Sequence, residues 1–161
     1  VASPVQVPGC YACEHDSGDP DVPLWERLYV GSGWRIAHAF NAALPGWLVL
    51  LPRRHVLGAQ ELTSAEAVEF GALVRSASIA LVEVTGCLKT YVALFAEAEG
   101  FAHLHVHLVP RYADTPPDRR GPAVFGYLGA PPDDWFGGPE RDDLARRLAV
   151  HLTGTPGVAG E

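Results

Sequence analysis

Apolar and polar residues roughly alternate from Leu24 to Val30 and again from Trp34 to Phe40, with Gly31-Ser32-Gly33 between the two runs. Alternation divides side chains between the two faces of a strand, and a glycine-flanked break lets the chain reverse, so this segment predicts a hairpin. Gly46 to Leu51 is apolar without interruption and predicts a buried strand. Thr63-Ser64-Ala65-Glu66 has the form of a capping box; Phe70, Leu73, Val74, Ala77, Leu81 and Val84 follow at three- and four-residue intervals, up to Gly86. One long amphipathic helix covering a sheet is expected there. Thr90 to Phe95 and Ala102 to Val109 predict two more strands, paired with each other, and Glu140 to Leu152 predicts a short second helix.

Strands interrupted by one long helix indicate an α+β fold with an antiparallel sheet. A chain of 161 residues, 48% of them apolar, is enough for one domain with a packed core. Residues 1–23, rich in Pro and Gly, read as an N-terminal arm that needs something to order it, and residues 112–161 as a C-terminal extension. No apolar run is long enough to span a membrane and no basic-then-apolar leader opens the sequence, so a soluble, cytoplasmic protein is expected.

Charge narrows the partners. Twelve basic against 19 acidic residues give a net charge of −7, the wrong sign for coating a nucleic-acid polymer. A small molecule is the expected partner. Of the cations only Lys89 is not Arg, which any anion site would use as planar forks. Three cysteines in such a chain suit a metal or buried thiols better than a disulfide framework. Cys10 and Cys13 form a pair at metal-ligand spacing that supplies half a tetrahedral site, with His15 the nearest further donor; Cys87 reads as a packed apolar thiol.

The most informative stretch is His103-Leu104-His105-Val106-His107-Leu108-Val109-Pro110-Arg111. Period two places three imidazoles on one strand face and Leu104, Val106 and Leu108 on the other. Neighbours in such a row are roughly 6.5 to 7 Å apart and the outer pair roughly 13 Å, so all three cannot share one ion and the row must divide its tasks. Neutral imidazole attacks phosphorus well at pH 7, best when flanked by groups that fix its tautomer. That favours the central His105 as nucleophile.

His-x-His-x-His-x-x followed by Pro-Arg resembles the signature of the histidine triad family of nucleotide hydrolases and transferases. Leu44-Pro45-Gly46-Trp47 through Pro52-Arg53-Arg54-His55 is similar to the family's Pro-Gly, apolar strand and Pro-basic-basic-His segment, and the pattern runs in order from Leu24 to about Arg111. The resemblance implies a homodimer that binds a nucleotide or nucleotide conjugate. In it His105 would attack the α-phosphorus to give a covalent nucleotidyl-histidine, and His107 would bond phosphate oxygens or the leaving group. Zinc-containing bacterial members complete an N-terminal Cys pair with two histidines, so the resemblance implies a structural zinc on Cys10, Cys13, His55 and His103. His15 stays open as a replacement ligand.

The sequence also departs from the family. Where phosphate-holding amides and hydroxyls are usual, residues 94–102 contain neither, and they place Glu97 and Glu99 beside the histidines. Carboxylates there disfavour a polyphosphate; they are solvated, or one of them selects a cationic or hydroxyl-bearing leaving group or acts as general acid or base. Asn41, with His38 second, is the nearest polar candidate for the ribose hydroxyls, or else forms the turn before Pro45, and Arg111 is either a phosphate partner or a packing or ion-pair residue. Trp135 and Phe136 are expected to pack, or to stack on a base. The expected activity is hydrolysis of a nucleoside phosphoanhydride or phosphoramidate. Transfer of the nucleotidyl group to a small acceptor, or nucleotide binding without turnover, are the alternatives.

Overall fold

The structure, a computed structural model, describes residues 7–16 and 21–153. Five strands, β1 (Tyr29–Val30), β2 (Trp34–His38), β3 (Leu48–Pro52), β4 (Lys89–Leu94) and β5 (Val106–Arg111), form one antiparallel sheet in the order β1-β2-β3-β5-β4. Three α-helices accompany it: α1 (Tyr11–Glu14), α2 (Ser64–Thr85) and α3 (Gly138–Leu152). The architecture is the expected α+β one.

The capping box at the start of α2 is complete: Thr63 Oγ1 accepts from the Glu66 amide, and the Glu66 carboxylate accepts from the Thr63 amide. The helix ends at Gly86, whose φ of 72° is the left-handed conformation that glycine adopts without a Cβ penalty. Leu73, Ala77 and Leu81 of α2 pack with Leu144 and Leu148 of α3 against Trp34, Ile36, Leu48, Leu50, Val106 and Leu108, one face of the sheet. Cys87 is buried in this core, as expected of a packed thiol, and burial pushes its pKa up. Two polar clamps tie helix to hairpin. The Trp34 indole donates to the Glu66 carbonyl at 2.8 Å, and Glu69 accepts from Ser32 and the Gly33 amide in the hairpin turn.

Three boundaries differ from those read in the sequence. Leu24–Glu26 is a 3₁₀ turn closed by bonds to the Pro23 and Leu24 carbonyls, so the first hairpin strand is only Tyr29–Val30. β3 begins at Leu48, after Gly46 at φ +81°, where a Cβ would crowd Leu81 and Tyr112. β5 begins at Val106 and runs to Arg111; His103 and His105 precede it, because the Leu104 amide bonds to Val56 and the His103 carbonyl to the His105 ring. The segment after Arg111 is irregular until α3, apart from 3₁₀ turns. Residues 1–6, 17–20 and 154–161, parts of the expected arm and extension, lie outside the described residues.

Candidate functional site

The face of the sheet turned away from α2 carries the chemistry. Cys10, Ala12 and Cys13 of the arm pack there against Ala37 and Leu51. Gly9 at φ +77° turns the chain into α1, and its amide donates to Glu14 at 3.0 Å. Cys10, the N-cap of this short helix, and Cys13 within it bring both thiols toward His55, which follows β3, and His103, which precedes β5.

The donor atoms of Cys10, Cys13, His55 and His103 all lie within 4.8 Å of one another. Cys10 Sγ is 3.4 Å from His103 Nδ1, and Cys13 Sγ is 3.4 Å from His55 Nδ1 and 3.7 Å from His103 Nδ1. Bonds of about 2.0–2.3 Å to a tetrahedral ion imply donor separations of roughly 3.5 Å, so the spacing fits zinc, as does the donor chemistry. His103 Nε2 lies 2.9 Å from the Pro52 carbonyl, which can only accept; Nε2 therefore carries the proton, and the Nδ1 lone pair faces the thiols. Burial, first, lowers His103 to about 4, keeping the ring in its neutral, metal-binding form. Burial also raises Cys13, a cost that a cation between the thiols would remove. His15 is not in the cluster: its Nδ1 is 2.8 Å from the Tyr11 carbonyl and its ring stacks on Tyr11.

Beside the cluster lies a cavity of about 310 Å³, lined by His103, His105 and His107, by small side chains on the sheet and by several aromatic rings. His105 Nδ1 is 2.8 Å from the His103 carbonyl, so Nδ1 bears the proton and Nε2 keeps its lone pair, with no partner among the described residues. The indole N–H of Trp47 donates to His107 Nδ1 at 3.1 Å. Indole is a donor only, so the His107 proton sits on Nε2. The His105 and His107 rings meet edge to face, 4.9 Å between centroids. Burial lowers His107 to about 4. The row thus presents one lone pair, on His105 Nε2, beside one N–H donor, on His107 Nε2. That combination can attack an electrophile and bond an oxygen on it.

Other expected site residues divide. Asn41 and Glu97 line the cavity, whereas Glu99 and Arg111 are not among its lining residues. His38 also borders it, but both ring nitrogens are occupied: Nδ1–H donates to the Ala39 carbonyl at 2.8 Å, and Nε2 accepts from the Gly46 amide at 3.0 Å. Trp135 donates to the Ala130 carbonyl and meets Phe40 edge-on, while Phe136 packs near His38. Trp47, which sets the His107 tautomer, carries no mark of that role in the sequence because it sits in an apolar run. Tyr11, Glu26 and Arg35, which also line the cavity, were likewise unmarked.

Sheet order, the imidazole row and the adjoining Cys-Cys-His-His cluster define an α+β protein with a histidine-lined cavity beside a candidate metal centre. Solved structures give that class its fold. A zinc-bound histidine triad family protein from Mycobacterium smegmatis superposes with a TM-score of 0.61 at 15% identity, covering 89% of this chain and 91% of that one. A histidine triad protein from Marinobacter aquaeolei gives 0.66 at 22%, covering 81% and 90%. One from Bradyrhizobium japonicum gives 0.65 at 21%, covering 78% and 89%. No family model and no curated protein matches the chain. The chain has the histidine triad fold, and it carries His103, His105 and His107 on it.

Proposed function

We propose that the chain is a nucleotide hydrolase of the histidine triad family, cleaving a nucleoside phosphoanhydride or phosphoramidate at the α-phosphorus. One observation carries the reading: His105 Nε2 is unpartnered among the described residues at the cavity, while Nδ1–H is tied to the His103 carbonyl. The Nε2 lone pair forms a bond to phosphorus as the bond to the leaving group breaks, and the leaving group departs with the electron pair. The ring holds the positive charge, and its Nδ1–H keeps the carbonyl bond. Water then attacks phosphorus, breaks the P–N bond, loses a proton and returns His105 to neutrality. His107 stays neutral and donates from Nε2–H to an oxygen on phosphorus or to the leaving group.

Cys10, Cys13, His55 and His103 would hold zinc. A closed four-ligand site of this kind supplies folding energy rather than an open coordination position. The protein's own residues do the rest. Asn41 is assigned to the ribose hydroxyls. Glu97, on the cavity wall, disfavours an anionic leaving group and favours a cationic or hydroxyl-bearing one; the same intermediate passed to an acceptor other than water would make the protein a nucleotidyltransferase. Glu99 and Arg111 stand outside the cavity lining and take no part in the step. The protein is assigned to the cytoplasm, where thiols remain reduced, and to a homodimer, with no polymer or membrane partner. Among the described residues no helix is long and apolar enough to cross a membrane.

Rapid-quench mass spectrometry with a nucleoside phosphoramidate tests the reading. The expected result is one nucleotidyl adduct on the peptide containing His105, absent in His105→Ala. An adduct elsewhere, or wild-type turnover by His105→Ala, removes His105 as nucleophile. Nucleotide binding with neither adduct nor turnover identifies a binding protein.

A further inference from the structure

Apart from the histidines, the cavity is walled mostly by apolar side chains, yet one end contains a buried charge pair. Arg35 and Glu26 side chains are only 2% and 3% exposed, and both border the cavity. Arg35 NH1 donates to the Glu26 carbonyl at 3.0 Å and approaches its Oε2 at 3.5 Å, while NH2 donates to the Ala12 carbonyl at 3.2 Å. The Tyr11 hydroxyl donates to Glu26 Oε1. Ion pairs this deep cost desolvation that an apolar substitute would avoid. Their position on the cavity wall supplies a use for them.

The position is specific. Arg35 pairs with Leu51 and Leu50 with Val106, so the row beginning at Arg35 runs through Leu51 to His105 when the register is extended by one residue. Two strand spacings separate its ends, roughly 10 Å. That is comparable with the reach of a nucleoside from its base edge to its 5′ phosphorus. Ala12 and Ala37 keep the intervening surface low, and Tyr11, Phe40 and Phe101 offer ring faces at the Arg35 end, with centroids 5.0 to 6.0 Å apart.

From this, and resting on the reading of the cavity as a nucleotide site, we infer that Glu26, held by Arg35 and Tyr11, is a base-reading residue that selects guanine. A carboxylate only accepts hydrogen bonds, and each of its oxygens has two lone pairs, of which the protein engages one. The spare capacity is a pair of acceptors side by side. Guanine presents two adjacent donors, N1–H and the 2-amino group. Adenine sets the N1 lone pair beside its amino group, and cytosine does the same with N3, so both bring an acceptor against the carboxylate. Uracil offers one N–H between two carbonyls. A site built to bond two donors rejects analogues lacking them, because its acceptors are left unpaired.

Calorimetric titration of the zinc-loaded wild-type protein with GMP, IMP, AMP, CMP and UMP tests this directly. GMP is expected to bind at least about tenfold tighter than AMP, with IMP, which lacks the 2-amino group, in between. Glu26→Gln replaces one acceptor by a donor and should narrow the GMP-to-AMP ratio to within about threefold. All five nucleotides binding within about twofold, or an unchanged ratio in Glu26→Gln, overturns the inference while leaving the nucleotide site standing. No binding by any of them overturns the nucleotide reading and this inference together. If Glu26→Gln does not fold, the wild-type series decides alone, since it needs no variant.

Discussion

Trp47 and His107, on opposite sides of the β3–β5 pairing, are joined by an indole N–H to Nδ1 bond of 3.1 Å, which dictates which nitrogen of His107 carries its proton. The indole also packs edge-on to the His107 and Phe125 rings, so the bond sits in a dry, fixed setting. A residue outside the cavity lining thereby orients a donor inside it.

Trp47→Phe is expected to keep the fold, lose about 1–2 kcal/mol of stability, and lower kcat on the order of tenfold or more with a smaller change in KM. The decisive readout is spectroscopic. Long-range ¹H–¹⁵N correlation spectra should show His107 as the Nε2–H tautomer in wild type and as a mixture in the variant. A His107 that is Nδ1-protonated in the wild type contradicts the assignment.

The four-residue metal cluster predicts about one zinc per chain after mild purification. Cys13→Ser should lose most of that metal and, because α1 and its contacts to Ala37 and Leu51 depend on the cluster, should lower the unfolding temperature markedly. Elemental analysis and thermal unfolding check both. Retention of full zinc by Cys13→Ser together with loss in His15→Ala would move the site toward His15.

Much of this site was legible in the sequence, for physical reasons that differ from residue to residue. The Thr63–Glu66 box and Gly86 marked both ends of α2 because caps satisfy backbone groups locally, without reference to the rest of the fold. The Cys10–Cys13 spacing announced half a metal site, whereas His55 and His103 reach it through tertiary folding and were assigned from family resemblance. Arg35 escaped notice because an alternating strand sends a polar residue to one face whether that face meets water or a cavity, and here it is 2% exposed. The strand starts at Val106, later than the alternation predicts, because His105 bonds the His103 carbonyl, a side-chain competition with the ladder that periodicity does not register.

His38 makes stability acid-sensitive. It is buried, its two ring nitrogens serve the main chain, and burial lowers its pKa to about 4. An unfolded His titrates near 6.5, so between these values the unfolded chain binds the extra proton. The stability contribution is therefore complete above about pH 6.5 and is lost as pH falls toward about 4. Glutamine can donate and accept in the same place, so His38→Gln should make the decline of unfolding temperature between pH 6.5 and 4 shallower, with His103 and His107 keeping their own share of it. An identical decline in the variant assigns the effect to other groups.

Glu66 acts at lower pH. Arg54 bonds both of its carboxylate oxygens, at 2.7 and 2.8 Å, and the Thr63 amide bonds one; this holds its pKa at about 2, the Arg54 bond being the largest cause. A depressed carboxylate stabilises above its unfolded pKa and loses that effect as pH falls through the folded value. The loss should span about pH 4.5 to 2. Glu66→Gln keeps a capping side chain but not the charge, and should cost about 1 kcal/mol at pH 7 and little at pH 2, measured by urea unfolding. A cost that does not change with pH would leave the cap, not the ion pair, as the source.

Among the described residues β4 is an edge strand, and it exposes apolar side chains where native edges are normally short, charged or covered. Val92 is 50% exposed and Leu94 40%, and the neighbouring α2 adds Ile79 and Val82, brought to the strand by the Ser78–Thr90 hydroxyl bond of 2.8 Å. A second copy related by a two-fold axis can cover this face, pairing β4 with β4 in antiparallel fashion and continuing the sheet, because the same patch then serves both sides. Light scattering at micromolar concentration should therefore give twice the chain mass. Val92→Lys places a charge at the centre of the patch without touching the histidine row, so it should shift the protein to monomer while zinc content stays unchanged. A wild-type monomer would require another cover for the β4 edge, and a dimer that survives Val92→Lys would have to be built on a different face.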